Sequence, residues 1–90
     1  MASQKHYDVW IKSLCPYCIQ AQQLLLAKAQ SHTLHVMDHQ LDELDNVKNL
    51  WNHPTVPLVV FRDGDEEKFI GGYTDLVSWL ESLPEVGDDD

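Results

Sequence analysis

Hydrophobic positions along the chain switch between a period near two and a period near 3.6, and each switch marks an element. Tyr7 to Ile11 (Y-D-V-W-I) is short, rich in β-formers and bounded by polar residues, so it predicts a strand. Lys12-Ser13-Leu14 forms a connecting loop. Pro16 suits the first position of a helix, where its missing N–H costs nothing. Cys18, Ala21, Leu25 and Ala29 then recur at helical spacing, with Gln20, Gln22, Gln23 and Lys28 mostly on other faces. Leu24 and Leu26 widen the apolar stripe and predict a helix covered over much of its surface. Thr33 to Met37 predicts a second strand, with Leu34 and Val36 pointing one way. Two strands joined by one helix make a βαβ unit, which is parallel with a right-handed crossover.

The second half is less uniform. Leu41, Leu44, Val47, Leu50 and Trp51 mark a helix ended by Asn52-His53-Pro54. Leu58 to Phe61 is a continuous apolar run, as expected of a strand buried on both faces. Asp63-Gly64-Asp65 is a turn, and Lys68 to Ile70 returns as a short strand, so this pair predicts a hairpin. Gly71-Gly72 breaks it, and Thr74 can cap a last helix. Leu76, Trp79, Leu80 and Leu83 face inward on that helix, which stops before Pro84. The order βαβαββα predicts an α/β sandwich: a mixed four-stranded sheet flanked by three helices, with both faces covered.

Composition narrows the class. Ninety residues with 43% hydrophobic content predict one domain, over residues 1–85, followed by an acidic flexible tail over 86–90. No run of eighteen apolar residues predicts a membrane span. The first residues lack the apolar core of a signal peptide, so a cytoplasmic location is expected. Fifteen acidic against six basic residues give a formal net charge of −9, which would repel nucleic-acid phosphates. The same charge means that a small anionic ligand needs local cationic help.

Cys15-Pro16-Tyr17-Cys18 holds the only two cysteines, at the point where a strand pattern gives way to a helical one. That arrangement sets Cys15 at a helix N-terminus, where unpaired N–H groups and the helix dipole favour negative charge. The thiolate is the reactive form of cysteine, so Cys15 is the expected nucleophile. Cys18 lies one turn inside on nearly the same face, placed to resolve a mixed disulfide. A stabilising disulfide is the bland alternative, but it would close a very short loop in a reducing compartment. Cys15-x2-Cys18 followed by His32-x2-His35 superficially imitates a zinc finger. The pattern is inverted, however: the cysteines open a helix and the histidines flank a strand, so no metal is expected. His6, His39 and His53 read as surface residues. Thr55-Val56-Pro57 offers an X–Pro bond that can be cis, and Gly72-Tyr73-Thr74-Asp75 opens a helix whose free N–H groups form an anion site.

Taken together, C-P-Y-C after a strand, Thr55-Val56-Pro57 before the third strand and Gly71-Gly72-Tyr73-Thr74-Asp75 before the last helix resemble glutaredoxin. More narrowly, they are similar to the small bacterial dithiol type that reduces ribonucleotide reductase. The resemblance covers nearly the whole chain in element order and implies the thioredoxin-like fold. It implies a glutathione-dependent thiol–disulfide oxidoreductase, with a redox-active pair Cys15 and Cys18 and glutathione as reducing co-substrate. Pro57 would stand beside the cysteines, leaving the backbone of Val56 to pair with an extended substrate, and Thr55, Val56 and Pro57 would take part in binding glutathione. Gly72, Tyr73, Thr74 and Asp75 would hold the γ-glutamyl end of glutathione: its carboxylate on backbone N–H groups and Thr74, its ammonium on Asp75. Tyr17 would flank the tripeptide, and Lys12 would meet its glycyl carboxylate and favour the Cys15 thiolate. Each also has a plainer reading, Thr74-Asp75 as a helix cap and Lys12 as a solvated side chain.

Two departures from the family pattern matter. His53-Pro54 stands where a basic residue often precedes Thr-Val-Pro, and Gln22 stands where a lysine is frequent. Expected partners are glutathione and disulfide-bearing or glutathionylated proteins, with no nucleic acid and no membrane, acting on a monomer. Two other functions compete. One is a glutaredoxin-like electron donor reduced by thioredoxin reductase, and the other an iron–sulfur carrier ligated by Cys15 and glutathione.

Overall fold

The computed structural model describes residues 5–82. It contains β1 (Lys5–Ile11), α1 (Pro16–Ala27), β2 (His32–Val36), α2 (Leu41–Trp51), β3 (Leu58–Asp63), β4 (Glu66–Gly71) and α3 (Tyr73–Glu81). The sheet runs β2-β1-β3-β4. β1 and β2 are parallel, while β3 pairs antiparallel with both β1 and β4. This is the expected βαβαββα order. The expected inward Leu83, the stop at Pro84 and the acidic tail over 86–90 lie outside the described residues. Among the described residues, no helix is long and apolar enough to cross a membrane.

The period of two along β1 sorts its side chains between two separate cores. Tyr7, Val9 and Ile11 pack with Cys18, Ala21 and Leu25 of α1 and with Leu76 and Leu80 of α3. Trp10 faces the other way and joins Met37, Leu44 and Leu58 beneath α2. β3 lies between the two layers, so Leu58, Val59 and Val60 are all fully buried, as their unbroken apolar run requires. Each such side chain contributes roughly 1.5–3 kcal/mol of burial free energy. The hydroxyl of Tyr7 enters the core with a partner: the Trp79 indole N–H donates to it at 3.0 Å. Burial raises the Tyr7 pKa, with the Trp79 bond opposing that rise.

Several boundaries move, each for a local reason. β1 and β4 extend beyond the predicted strands because antiparallel pairing with β3 carries them outward, Lys5 opposite Asp63 and Glu66 opposite Asp63. β2 starts at His32, where Tyr7 pairs with it. α1 ends at Ala27, so Ala29 is no part of its buried stripe. Ala29 instead turns with φ 56°, its N–H bonded to the Leu26 carbonyl and that of Gln30 to the Leu25 carbonyl. That pair of bonds closes the helix as a Schellman motif. Nor is α1 covered over much of its surface, since Leu26 is 62% exposed. α2 is covered still less: Leu44 is its one buried residue and Leu50 is 71% exposed.

Sheet polar groups on the α2 side are paired. Asp8 accepts from His35 Nε2 at 3.0 Å and from Arg62, which also reaches Glu67. Burial alone would raise the Asp8 pKa. The hydrogen bonds and charges of His35 and Arg62 outweigh it and hold the carboxyl below its usual range. His35 also stacks on Trp10 at 4.7 Å, and His32 places Nδ1 2.8 Å from the Gln30 carbonyl oxygen.

Candidate active site

Cys15 is the N-cap of α1, with extended backbone (φ −140°, ψ 105°) that turns its side chain back over the first turn. Its sulfur accepts the backbone N–H of Cys18 at 3.2 Å. The Cys15 carbonyl accepts the N–H of Ile19 at 3.1 Å, closing the first helical turn. Pro16 at the first position has no N–H to leave unpaired, and no acidic residue occupies that turn. The positive end of the helix therefore acts on the sulfur without a competing carboxylate. Cys15 is half-buried and Cys18 is fully buried against the larger core.

The loop before Cys15 is anchored, because the Ser13 N–H donates to Asp38 Oδ1 at 2.9 Å. The hydrogen bonds from Ser13 hold the Asp38 carboxyl below its usual range. On the other side of the sulfur, Val56-Pro57 is a cis peptide bond, as Thr55-Val56-Pro57 predicts it can be. The Val56 carbonyl oxygen lies 4.0 Å from Cys15 Sγ.

Eight predicted ligand residues converge on one open cleft of about 230 Å³: Tyr17, the Thr55–Pro57 segment and the Gly72–Asp75 segment. The Tyr17 and Tyr73 rings stack at 5.9 Å and join the starts of α1 and α3. Lys12 does not line this cleft. It lies in a second one, of about 490 Å³, that opens on Cys15 with Leu14, Pro16, Asp38, Leu41 and Val56. The two clefts share Val56 as a wall.

At the start of α3 the cap differs from expectation. Gly72, not Thr74, is the N-cap, and Asp75 Oδ2 accepts the Gly72 N–H at 3.2 Å. Thr74 sits exposed at the second helical position. The cause is the bend before it. Val59 pairs with Gly71 and Val60 with Phe69, so Ile70 is bulged out of the ladder. Gly71 then adopts φ +128°, which starts the helix early. A Cβ on Gly71 would lie 2.2 Å from Asp75 Oδ2 and 2.9 Å from Asp75 Cβ. Gly71→Ala is accordingly expected to cost about 2–3 kcal/mol, from the positive φ and the displaced carboxylate together. Urea unfolding measures this, and a loss under about 0.5 kcal/mol would mean the bend relaxes freely.

His53, a half-buried surface residue, also lines the first cleft, with Nε2 3.3 Å from Thr55 Oγ1. Its ring meets the edge of Phe69 at 5.3 Å, and Trp51 stacks on the same Phe69. The one readable signal was its position two residues before Thr55. Among the described residues lining the cleft, Asp75 is joined by no lysine or arginine.

No protein-family model matches the chain, and no curated protein sequence matches it. Solved structures do. A wheat glutaredoxin superposes with TM-score 0.67 at 26% identity, covering 84% of this chain and 72% of that one. The dithiolic glutaredoxin 2-C-Grx1 of Trypanosoma brucei brucei superposes with TM-score 0.67 at 29% identity, covering 83% and 76%. Glutaredoxin 1 of Francisella tularensis, at 21% identity and TM-score 0.64, covers 86% and 93% and shares the fold. The thioredoxin-like fold and the cysteine pair at the N-terminus of its first helix are consistent with a glutaredoxin-type protein, and these neighbours support a thiol–disulfide oxidoreductase.

Proposed function

We propose that the protein is a glutathione-dependent disulfide oxidoreductase that works through the Cys15/Cys18 pair. The observation that carries this reading is the adjacency of Cys15 to the cleft built by Thr55–Pro57 and the N-terminus of α3. The Cys15 thiolate attacks one sulfur of a substrate disulfide. A bond forms from Cys15 to that sulfur, the substrate S–S bond breaks, and the departing thiolate takes a proton from solvent. The Cys18 thiol then loses its proton and attacks the Cys15 sulfur, expelling the second substrate thiolate and leaving a Cys15–Cys18 disulfide. Two molecules of glutathione reduce that disulfide, giving up two electrons and two protons and becoming glutathione disulfide.

In this reading the γ-glutamyl carboxylate rests on the free N–H groups of α3 and on Thr74, and its ammonium meets Asp75. The tripeptide backbone pairs with Val56 beside Pro57, with Thr55, Gly72 and Tyr73 completing the wall and Tyr17 covering it. Lys12, across the sulfur, offers the glycyl carboxylate a cation at longer reach. Substrates are glutathionylated or disulfide-bearing proteins, ribonucleotide reductase being the one the motifs suggest. The setting is a reducing compartment such as the cytoplasm.

A second reading has its own observation. The first cleft carries no lysine or arginine among its described lining residues, which favours a donor reduced by thioredoxin reductase instead of glutathione. Parallel coupled assays separate the two. Turnover driven by glutathione with glutathione reductase is expected; turnover with thioredoxin reductase alone would overturn glutathione dependence while leaving the dithiol chemistry intact.

A further inference from the structure

Beyond the reach of Lys12 toward the glycyl carboxylate, glutathione does not account for the second cleft beside Cys15. Its walls are apolar: Leu14, Pro16, Leu41 and Val56. Leu14 is 97% exposed and Leu41 is 50% exposed, so two large aliphatic side chains stand in water next to the reactive sulfur. Leu14 does not hang on a loose loop, because the neighbouring Ser13 is tied to Asp38. An apolar surface held rigidly open beside a reacting atom fits a contact surface.

The rim gives the occupant its charge. Asp38 lies in the cleft, and the hollow adjoining it along Asp38 and Leu41 adds Asp42 and Glu43. Against these three carboxylates stands Lys12, with His39 in the outer hollow. The whole chain carries a formal −9. A second copy of this acidic chain would meet repulsion at that rim, whereas a cationic partner would be attracted.

We propose that this cleft docks the polypeptide side of protein substrates: an extended segment with a bulky apolar residue beside its reactive cysteine and a lysine or arginine just beyond. The apolar side chain lies on Leu14, Pro16 and Leu41, and the cation reaches Asp38, Asp42 and Glu43. Val56 is shared by the two clefts, so when Cys15 attacks the glutathione sulfur in line with the S–S bond, glutathione lies to one side of Val56 and the departing polypeptide thiolate to the other. This proposal rests on the dithiol chemistry of Cys15 but not on which reductant restores it.

The test uses two peptides containing a mixed disulfide with glutathione, one with Leu-Lys and one with Leu-Glu beyond the cysteine, alongside the small mixed disulfide of glutathione and 2-mercaptoethanol. Wild-type kcat/KM is expected to favour the lysine peptide over the glutamate peptide by about fivefold to tenfold at low salt, shrinking as salt rises. Leu14→Ser with Leu41→Ser is expected to lower kcat/KM for the lysine peptide about tenfold while the small substrate stays within about twofold. Asp42→Lys with Glu43→Lys is expected to invert the peptide preference. Equal loss on peptide and small substrate, no loss on either, or no preference between the peptides would each overturn the proposal. So would a concentration-dependent dimer that the leucine substitutions dissolve, since a second copy would then be the occupant. Repeating the series with a simple dithiol-cleavable peptide disulfide and dithiothreitol as reductant keeps the docking test valid if the glutathione substrates are not turned over. That last result would count against glutathione dependence alone.

Discussion

Cys15→Ser is expected to lose at least about 10³-fold in turnover of a glutathione mixed disulfide, while folding as well as the wild type. A serine hydroxyl stays protonated near neutral pH and forms no bond to sulfur that a second thiol can cleave. The helix N-terminus that favours a thiolate cannot compensate for a group that does not ionise. Stability moves the other way. Cys15 is the N-cap of α1, its sulfur accepting the Cys18 N–H at 3.2 Å. Serine is among the preferred N-caps, and its oxygen accepts the same bond at a shorter distance. Thermal unfolding should therefore show an unchanged or slightly higher midpoint beside a dead enzyme. That combination distinguishes a lost nucleophile from a damaged fold. Activity above about 1% of wild type would sink Cys15 as the attacking sulfur.

How much of this was written plainly in the chain depends on the range of the interaction concerned. Strand and helix order was legible because Leu58–Phe61 and the Cys18/Ala21/Leu25 spacing are local patterns with a single packing solution. The cleft was legible for the same reason: Thr55–Pro57 and Gly72–Asp75 each sit at the end of an element that the sheet order brings to one side of Cys15. What stayed hidden was set at longer range. Lys12 lines the other cleft, in a loop whose next residue, Ser13, is tied to Asp38 twenty-five residues further on. His53 joins the cleft wall, where its ring meets the edge of Phe69 of β4, a partner distant in sequence. The α3 cap shifts from Thr74 to Gly72 because of a bulge and a positive φ at Gly71, neither of which has a hydropathy signature. Leucines mislead in the same way. Leu26 and Leu50 lie on stripes read as helical cover, yet both are exposed, because no described element packs over them.

Cys18→Ser is expected to separate two activities that Cys15→Ser removes together. Cys18 has no exposed surface and packs with Ala21, Leu25 and Val9, so it cannot attack a disulfide arriving from solvent. Its thiol can act only on a sulfur already joined to Cys15. Reduction of a glutathione mixed disulfide ends with a Cys15–glutathione bond that a second glutathione can open, and this step is expected to remain within several-fold of wild type. Reduction of a protein disulfide instead leaves Cys15 bound to the protein, and release then falls to free glutathione. A loss of at least about 10²-fold is expected there, because an intramolecular attack is replaced by a bimolecular one. The stalled adduct should be visible by mass spectrometry as a covalent 1:1 species that dithiothreitol dissolves. The substitution leaves the backbone N–H of residue 18 on the Cys15 sulfur, so it does not disarm the nucleophile. It does place a hydroxyl in an apolar core, costing about 1–3 kcal/mol if no acceptor is reached. Assays therefore belong well below the lowered unfolding midpoint. Full retention of protein-disulfide reduction would remove Cys18 from the mechanism, and equal loss of both activities would assign it to the first attack instead of the second.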